Sequence, residues 1–314
     1  GCMGMSGMYG PADRAESIAT IHAAVDAGIN LIDTGDFYGM GHNEMLIADA
    51  LKGRRRDDVL LSVKFGALRD PDGGWSGYDS RPAAIRNFLA YSLQRLGTDH
   101  IDIYRPSRLD PAVPIEETIG ALADLVKAGH IRHIGLSEVG AETIRRAAAV
   151  HPITDLQIEY SLISRGIEDD ILPTCRELGI AVTAYGVLSR GLISGHWQKD
   201  APRQGDFRSM GPRFQEGNVD RNLALVEALR RVAEAKGASV AQLAIAWVAA
   251  QGGDIVPVVG ARRRDRLAEA LGSQAVSLSA GDIAAIEAAM PKDAAAGERY
   301  PAAMLAHMDS EKRA

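Results

Sequence analysis

Cysteine is nearly absent. The 314 residues include only Cys2 and Cys175, which excludes a disulfide framework and a four-thiolate metal site. Aromatic residues make up 5% of the chain, while glycine is plentiful at 33, a balance that suits many short turns. No uncharged apolar run approaches the ~18–20 residues of a membrane helix, and mean hydropathy is −0.08. Positive charge is not in excess. The net charge of −6 and a pI near 5.8 argue against a broad nucleic-acid footprint. Also missing is a strand–GxGxxG–helix dinucleotide fingerprint; Gly39-Met40-Gly41 comes nearest and lacks the third glycine. The chain opens Gly1-Cys2-Met3-Gly4 with no initiator Met and no charged segment typical of a signal peptide, so a cytoplasmic setting is expected.

What is present is an alternation. Short β-rich apolar runs occur at Ile29–Asp33, Val59–Lys64, Ile101–Tyr104, Ile131–Ser137, Asp155–Ile158, Ile180–Tyr185 and Ile255–Val259. Helical patterns separate them: Arg14–Ala27, Asn43–Leu51, Ala83–Leu96, Ile115–Ala128, Ala141–Val150, Asp169–Leu178 and Asn222–Lys236. Proline opens some of them, and several end at glycine. This rhythm predicts right-handed βαβ units on a parallel sheet. A TIM (β/α)8 barrel needs eight strands and about 250 residues. The strand not found is the first, with Gly1–Met5 where it should end. Residues 1–314 are expected to form one barrel domain, and an N-terminal hairpin and most of strand one are expected to be missing or unlisted before Gly1. A doubly wound open sheet is the alternative. A long polar loop, Ser189 to about Asp220, follows strand seven, and a second helix, Ser239–Ala250, precedes the last strand. A helix at Ala280–Met290 then begins a C-terminal tail.

In a barrel, chemistry gathers at the C-terminal strand ends. Those positions hold Asp33 and Tyr38, Lys64, Arg105 to Arg108, Ser137 and Glu138, Gln157 and Glu159, Tyr185, and Gly260 to Arg266. Taken singly, each has a plainer reading: a turn aspartate, a packing tyrosine, a snorkelling lysine. Together they suggest a device. A lysine ammonium beside a tyrosine lowers the phenol pKa from about 10, and the aspartate keeps the lysine charged. The phenol then serves as an acid toward a carbonyl oxygen. Four arginines, Arg262, Arg263, Arg264 and Arg266, follow strand eight and open a helix, an arrangement suited to phosphate. His130 and His133 flank a strand start with no third ligand in view, and no metal is expected.

Leu31-Ile32-Asp33-Thr34-Gly35-Asp36-Phe37-Tyr38-Gly39 resembles the signature of the aldo-keto reductase family. Leu61-Ser62-Val63-Lys64 resembles that family's lysine strand. Gly135-Leu136-Ser137-Glu138, Gln157–Leu162 and Ala184–Leu192 resemble its cofactor-lining segments. The similarity runs from Gly1 to about Leu271. It implies a TIM barrel that binds NADPH without a Rossmann domain and reduces an aldehyde or ketone to an alcohol. Asp33, Tyr38, Lys64 and Ser107 would then be catalytic, with Tyr38 the general acid. Ser137 and Gln157 would hold the nicotinamide carboxamide, and Tyr185 would stack on its ring. Gly186, Leu188, Arg190 and Gly191 would line the cofactor. Gly260, Arg262 and Arg266 would take its phosphates, and Glu269 would face the adenine.

Two positions depart from the family. Ser107 stands where histidine is usual, offering one hydroxyl donor and no titration near neutral pH; water or Arg108 could fill the gap. Ala270 stands where asparagine is usual. The expected partner is a small carbonyl compound, with neither nucleic acid nor membrane, and oligomeric state is open. The competing readings are a cofactor-bound regulatory protein with little turnover and a Schiff-base barrel enzyme using Lys64.

Overall fold

The computed structural model describes residues 1–197 and 206–312. Helix α1 (Arg14–Asp26) leads to strand β1 (Leu31–Gly35), helix α2 (His42–Leu51) and strand β2 (Leu60–Phe65). A hairpin follows, β3 (Ala67–Arg69) and β4 (Trp75–Tyr78). Helix α3 (Pro82–Leu96), β5 (Ile101–Pro106), α4 (Ile115–Lys127), β6 (Ile131–Ser137), α5 (Ala141–Val150), β7 (Ile153–Glu159), α6 (Ile171–Glu177) and β8 (Ala181–Tyr185) continue the alternation. Helices α7 (Asn218–Ala235) and α8 (Val240–Ala250) precede β9 (Ile255–Pro257). Then come α9 (Arg264–Leu271), α10 (Ala280–Ala289) and the short α11 (Ala302–Leu305).

Among the described residues, seven strands form one parallel sheet in the order β1-β2-β5-β6-β7-β8-β9. These are the seven apolar runs, each within a few residues of its expected bounds. The two edge strands are tied together by the first two residues. Cys2 N donates to Asp33 O on β1 at 2.9 Å, and the Gly1 ammonium donates to Val259 O beyond β9 at 3.0 Å. The sheet therefore curls until its edges share one segment at the C-terminal ends of the strands.

Local chemistry explains the punctuation. Helix α3 starts with Pro82 and stops at Gly97, whose φ of 65° suits a residue without Cβ. Ser239 and Gln242 form a reciprocal capping box on α8. Helix α7 begins four residues before the sequence suggests, because Gly217 ends the preceding loop and Asn218 bonds back to Pro212 O at 3.0 Å. The β3–β4 hairpin follows Lys64 without any strand signal in the sequence. Its strands are too short for a two-residue period to show, although Pro71-Asp72-Gly73-Gly74 is a turn signal.

The sheet's inner face carries a polar column. Asp155, Gln157 and Glu159 alternate inward along β7. Arg105 donates two bonds to the Asp155 carboxylate, at 3.0 and 2.9 Å, and Thr183 adds a third at 2.7 Å. This ion pair is fully buried. Gly135 makes room for it: a Cβ there would lie 2.5 Å from Asp155 Oδ1 and 2.8 Å from Arg105 Nε. The outer faces are apolar and pack on the helices, with Phe65 and Tyr104 stacked at 4.4 Å between ring centroids.

Of the long loop from Ser189 to Asp220, residues 198–205 lie outside the described residues. Phe214 is fully buried, 4.8 Å from the Trp197 ring, and packs the loop down, whereas Trp197 and Phe207 face the cavity described below. Cys175 is buried in α6, and burial raises its thiol to about 12. No described helix is long and apolar enough to cross a membrane.

Candidate active site

A cavity of about 1230 Å³ opens at the C-terminal ends of the strands. That exceeds the ~300–1,000 Å³ of ordinary small-molecule pockets. Asp33, Tyr38, Lys64, Ser107, Ser137 and Gln157 all line it, although they come from four different strands and the turns after β1 and β5. Parallel pairing brings them to one level. Lys64 is in register with Gly35 and Arg105, and Ser137 is in register with Gln157.

The centre is a closed polar knot. Lys64 Nζ donates to Asp33 Oδ1 at 2.7 Å and to Gln157 Oε1 at 2.8 Å. Gln157 Nε2 donates to Asp33 Oδ2 at 2.7 Å, where Ser62 Oγ also donates at 3.0 Å. All are buried. Burial alone would raise the Asp33 carboxyl, but Lys64 and Arg105 outweigh it and hold it below its ordinary range. Burial draws the Lys64 ammonium downward, against the pull of Asp33. Both ends of the Gln157 amide bond within the knot, so it braces the ion pair, while its Nε2 keeps a second N–H.

Tyr38 sits on the turn after β1, buried, with its ring 5.2 Å from Lys64 Nζ. Among the described residues, its hydroxyl has no hydrogen-bond partner. The expectation of a lowered phenol pKa is corrected. Burial first, and the Asp33 charge second, raise Tyr38 well above 10. The ammonium spends its bonds on Asp33 and Gln157 and meets the phenol through its ring face.

Ser107 and Ser137 each present a buried Oγ with no partner. Tyr185 lines the cavity, and its hydroxyl donates to Glu138 Oε1 at 2.7 Å and meets Tyr300 OH at 2.9 Å. Glu138, in a left-handed backbone conformation at φ 53°, is fully buried. Arg299 clamps its carboxylate with bonds of 3.0 and 2.6 Å, and Ser310 adds one at 2.7 Å. Burial opposes the charge on Glu138, yet Arg299 prevails and holds the carboxyl well below its usual range. Residues 299–310, which no motif marks, thus form part of the cavity wall. The only sequence signal for them is a pair of polar residues, Arg299 and Tyr300, within an alanine-rich tail.

Gly186, Leu188, Arg190 and Gly191 line the cavity, while Arg190 also pairs with Glu159 at 3.3 Å. At the far end lie Gly260, Arg262, Arg263, Arg266 and Glu269. The four arginines do not act as one cluster. Arg264 faces outward and pairs with Glu16 at 2.9 Å. Arg262 donates to the carbonyls of Tyr9, Gly10 and Pro11 at 3.1 to 3.3 Å, tying the N-terminal loop to α9. Arg266 and His196 hold Glu269 at 3.1 and 2.9 Å. His130 and His133 are exposed, on the far side of the sheet's β6 start.

A curled parallel sheet with a large polar-floored cavity at its C-terminal strand ends defines an enzyme of the α/β class. The chain belongs to the aldo/keto reductase family, whose pattern matches residues 1–291. It is 42% identical over 303 residues to "Probable aldo-keto reductase 1" of Glycine max, covering 96% of this chain and 87% of that protein. The glycerol dehydrogenase of Gluconobacter oxydans superposes with a TM-score of 0.82 at 34% identity, covering 90% of this chain and 88% of that one. An aldo-keto reductase of Klebsiella pneumoniae, solved in complex with NADPH, superposes at 0.71 with 26% identity over 89% and 86% of the two chains. Oxidoreduction of a small carbonyl compound is the class of chemistry this membership assigns.

Proposed function

We propose that the chain reduces an aldehyde or ketone to an alcohol with NADPH, using Tyr38 as the proton donor. The observation that carries this reading is the buried knot of Asp33, Lys64 and Gln157 against the Tyr38 ring, at the floor of a cavity with guanidinium groups at its far end. We read the seven strands, with Gly1 and Cys2 between their edges, as a (β/α)8 barrel of one domain.

The residues present fit the dinucleotide. Ser137 Oγ is buried, unpartnered and on the cavity wall, where it suits the carboxamide. Tyr185 would flank the nicotinamide ring, and the segment Gly186–Gly191 would run beside it. Gly260 leaves open space, since a Cβ there would meet only Gly1 O at 3.9 Å. Arg263 and Arg266 line the cavity with exposed guanidiniums suited to the phosphates, and Arg262 supports the loop beside them. When bound, NADPH supplies the hydride for the carbonyl carbon.

The chain's own residues do the rest. Tyr38 holds a proton at its phenol oxygen and passes it to the carbonyl oxygen. Lys64 keeps a positive charge beside the ring and stabilises the phenolate left behind. Asp33 and Gln157 fix that lysine in place. A lysine so bound is poorly placed as a Schiff-base nucleophile.

Initial rates with a panel of aldehydes and ketones test the reading, with NADPH and NADH compared on each. The expected result is turnover with a lower KM for NADPH. An equal or lower KM for NADH would overturn the phosphate role of the arginines, and no turnover with either would overturn the whole reading.

A further inference from the structure

Among the described residues, Arg108 makes no ion pair. Arg108 follows Ser107 at the end of β5 and lines the cavity beside Tyr38. Its only hydrogen bond among the described residues runs from one terminal nitrogen to the Ser107 carbonyl at 2.6 Å. Its Nε is buried without a partner. Every other charge nearby is already committed. Lys64 pairs with Asp33, Arg105 with Asp155, Arg190 with Glu159 and Arg299 with Glu138. Lys312 pairs with Asp309 at 3.3 Å. Asp110, two residues on, gives its carboxylate to the backbone amides of Ser80 and Ala112, both at 2.9 Å.

A guanidinium placed in a cavity with donors unspent is costly unless an anion completes it. Ser107, next to it, contributes an unpartnered hydroxyl on the same wall. Guanidinium geometry matches an oxyanion with two adjacent oxygens.

We propose that Arg108, with Ser107, binds an anionic group of the substrate, so that the preferred substrates are short carbonyl compounds carrying a carboxylate or a phosphate. This rests on the carbonyl-reducing reading above and adds its substrate class. Arg108 is then a specificity residue, and its charge persists at any pH the enzyme meets.

Matched pairs of probes test it: 4-carboxybenzaldehyde against 4-methylbenzaldehyde, and glyceraldehyde 3-phosphate against glyceraldehyde. The expected result is a preference for the charged member of at least one pair, which also tells carboxylate from phosphate. In Arg108→Met that preference should fall on the order of 10²-fold, through KM rather than kcat. A Tm of Arg108→Met close to that of the wild type serves as the check on folding. Arg108→Lys should restore part of the preference. Calorimetry gives a readout independent of turnover: 4-carboxybenzyl alcohol should bind the wild type and fail to bind Arg108→Met. Equal turnover of charged and neutral members by the wild type would overturn the proposal and leave the reductase reading intact. A preference that survives Arg108→Met would overturn it too. Turnover of no member would overturn both.

Discussion

The Lys64 ammonium lies 5.2 Å from the centroid of the Tyr38 ring while it bonds to Asp33 at 2.7 Å. One cation thus serves a buried carboxylate and a buried phenol together. Replacing it with an uncharged side chain of similar length leaves Asp33 buried and unpaired, a loss of about 3–5 kcal/mol for a broken buried pair. Lys64→Met should therefore lower Tm and reduce kcat by at least about 10²-fold. Thermal melts and initial rates measured together check both effects. A variant with full Tm and full kcat would show the ion pair to be idle.

The pH dependence of reduction follows from Tyr38. Burial and Asp33 raise its phenol well above 10, so the proton-bearing form is the only one populated near neutrality. The reduction rate at saturating substrate should be flat from about pH 6 to pH 9 as far as Tyr38 is concerned. Ser107 adds no titration in that window, unlike a histidine. A kcat profile falling with an apparent pKa near 7 would contradict this.

Asp36, two residues before Tyr38, predicts a stability effect of the opposite kind. Burial first, and Glu44 second, raise its carboxyl from 3.8 to about 7. Its Oδ1 and the Glu44 Oε1 are buried without partners. Between about pH 4 and pH 7 the folded chain holds a proton that the unfolded chain has lost. Stability should fall as pH rises through that window and level off above it. Asp36→Asn should remove this slope, so that its Tm advantage over the wild type is larger at pH 8 than at pH 5. Parallel Tm-against-pH curves would rule out the raised carboxyl.

The clamp of Arg299 on Glu138 joins the tail to the end of β6. The Glu138 carboxyl is held below its ordinary value of 4.5, so its contribution to stability is present above that pH and is lost as pH falls below it. Arg299→Met should cost about 3–5 kcal/mol at pH 7 by stranding a buried carboxylate. The double variant with Glu138→Gln should recover part of that loss. Chemical denaturation at pH 7 measures both, and a single variant as stable as the wild type would refute the clamp.

Much of this was legible in the sequence, for physical reasons. Strands such as Leu60–Phe65 and Ile101–Pro106 are buried on both faces along nearly their whole length, so they read as short runs between glycine and proline stops. Asp33, Tyr38, Lys64 and Ser107 lie within a few residues of strand ends, and parallel register alone brings them together. The hairpin was not legible, because three or four residues show no period. The Glu138–Arg299 clamp spans 161 positions and carries no local pattern. The partners of Gln157 and Arg262 were also hidden. Each bonds within the fold, Gln157 to Lys64 and Asp33, and Arg262 to the carbonyls of Tyr9, Gly10 and Pro11. The sequence names a donor, and only the packing shows which acceptor reaches it first.

The most direct measurement is NADPH oxidation at 340 nm in the presence of an aldehyde by the wild type and by Tyr38→Phe. The substitution removes one hydroxyl and leaves the ring against Lys64. The account predicts a loss of kcat on the order of 10²–10⁴-fold, the range for removing a general acid, with Tm and NADPH binding nearly unchanged. Turnover by Tyr38→Phe equal to that of the wild type would contradict it.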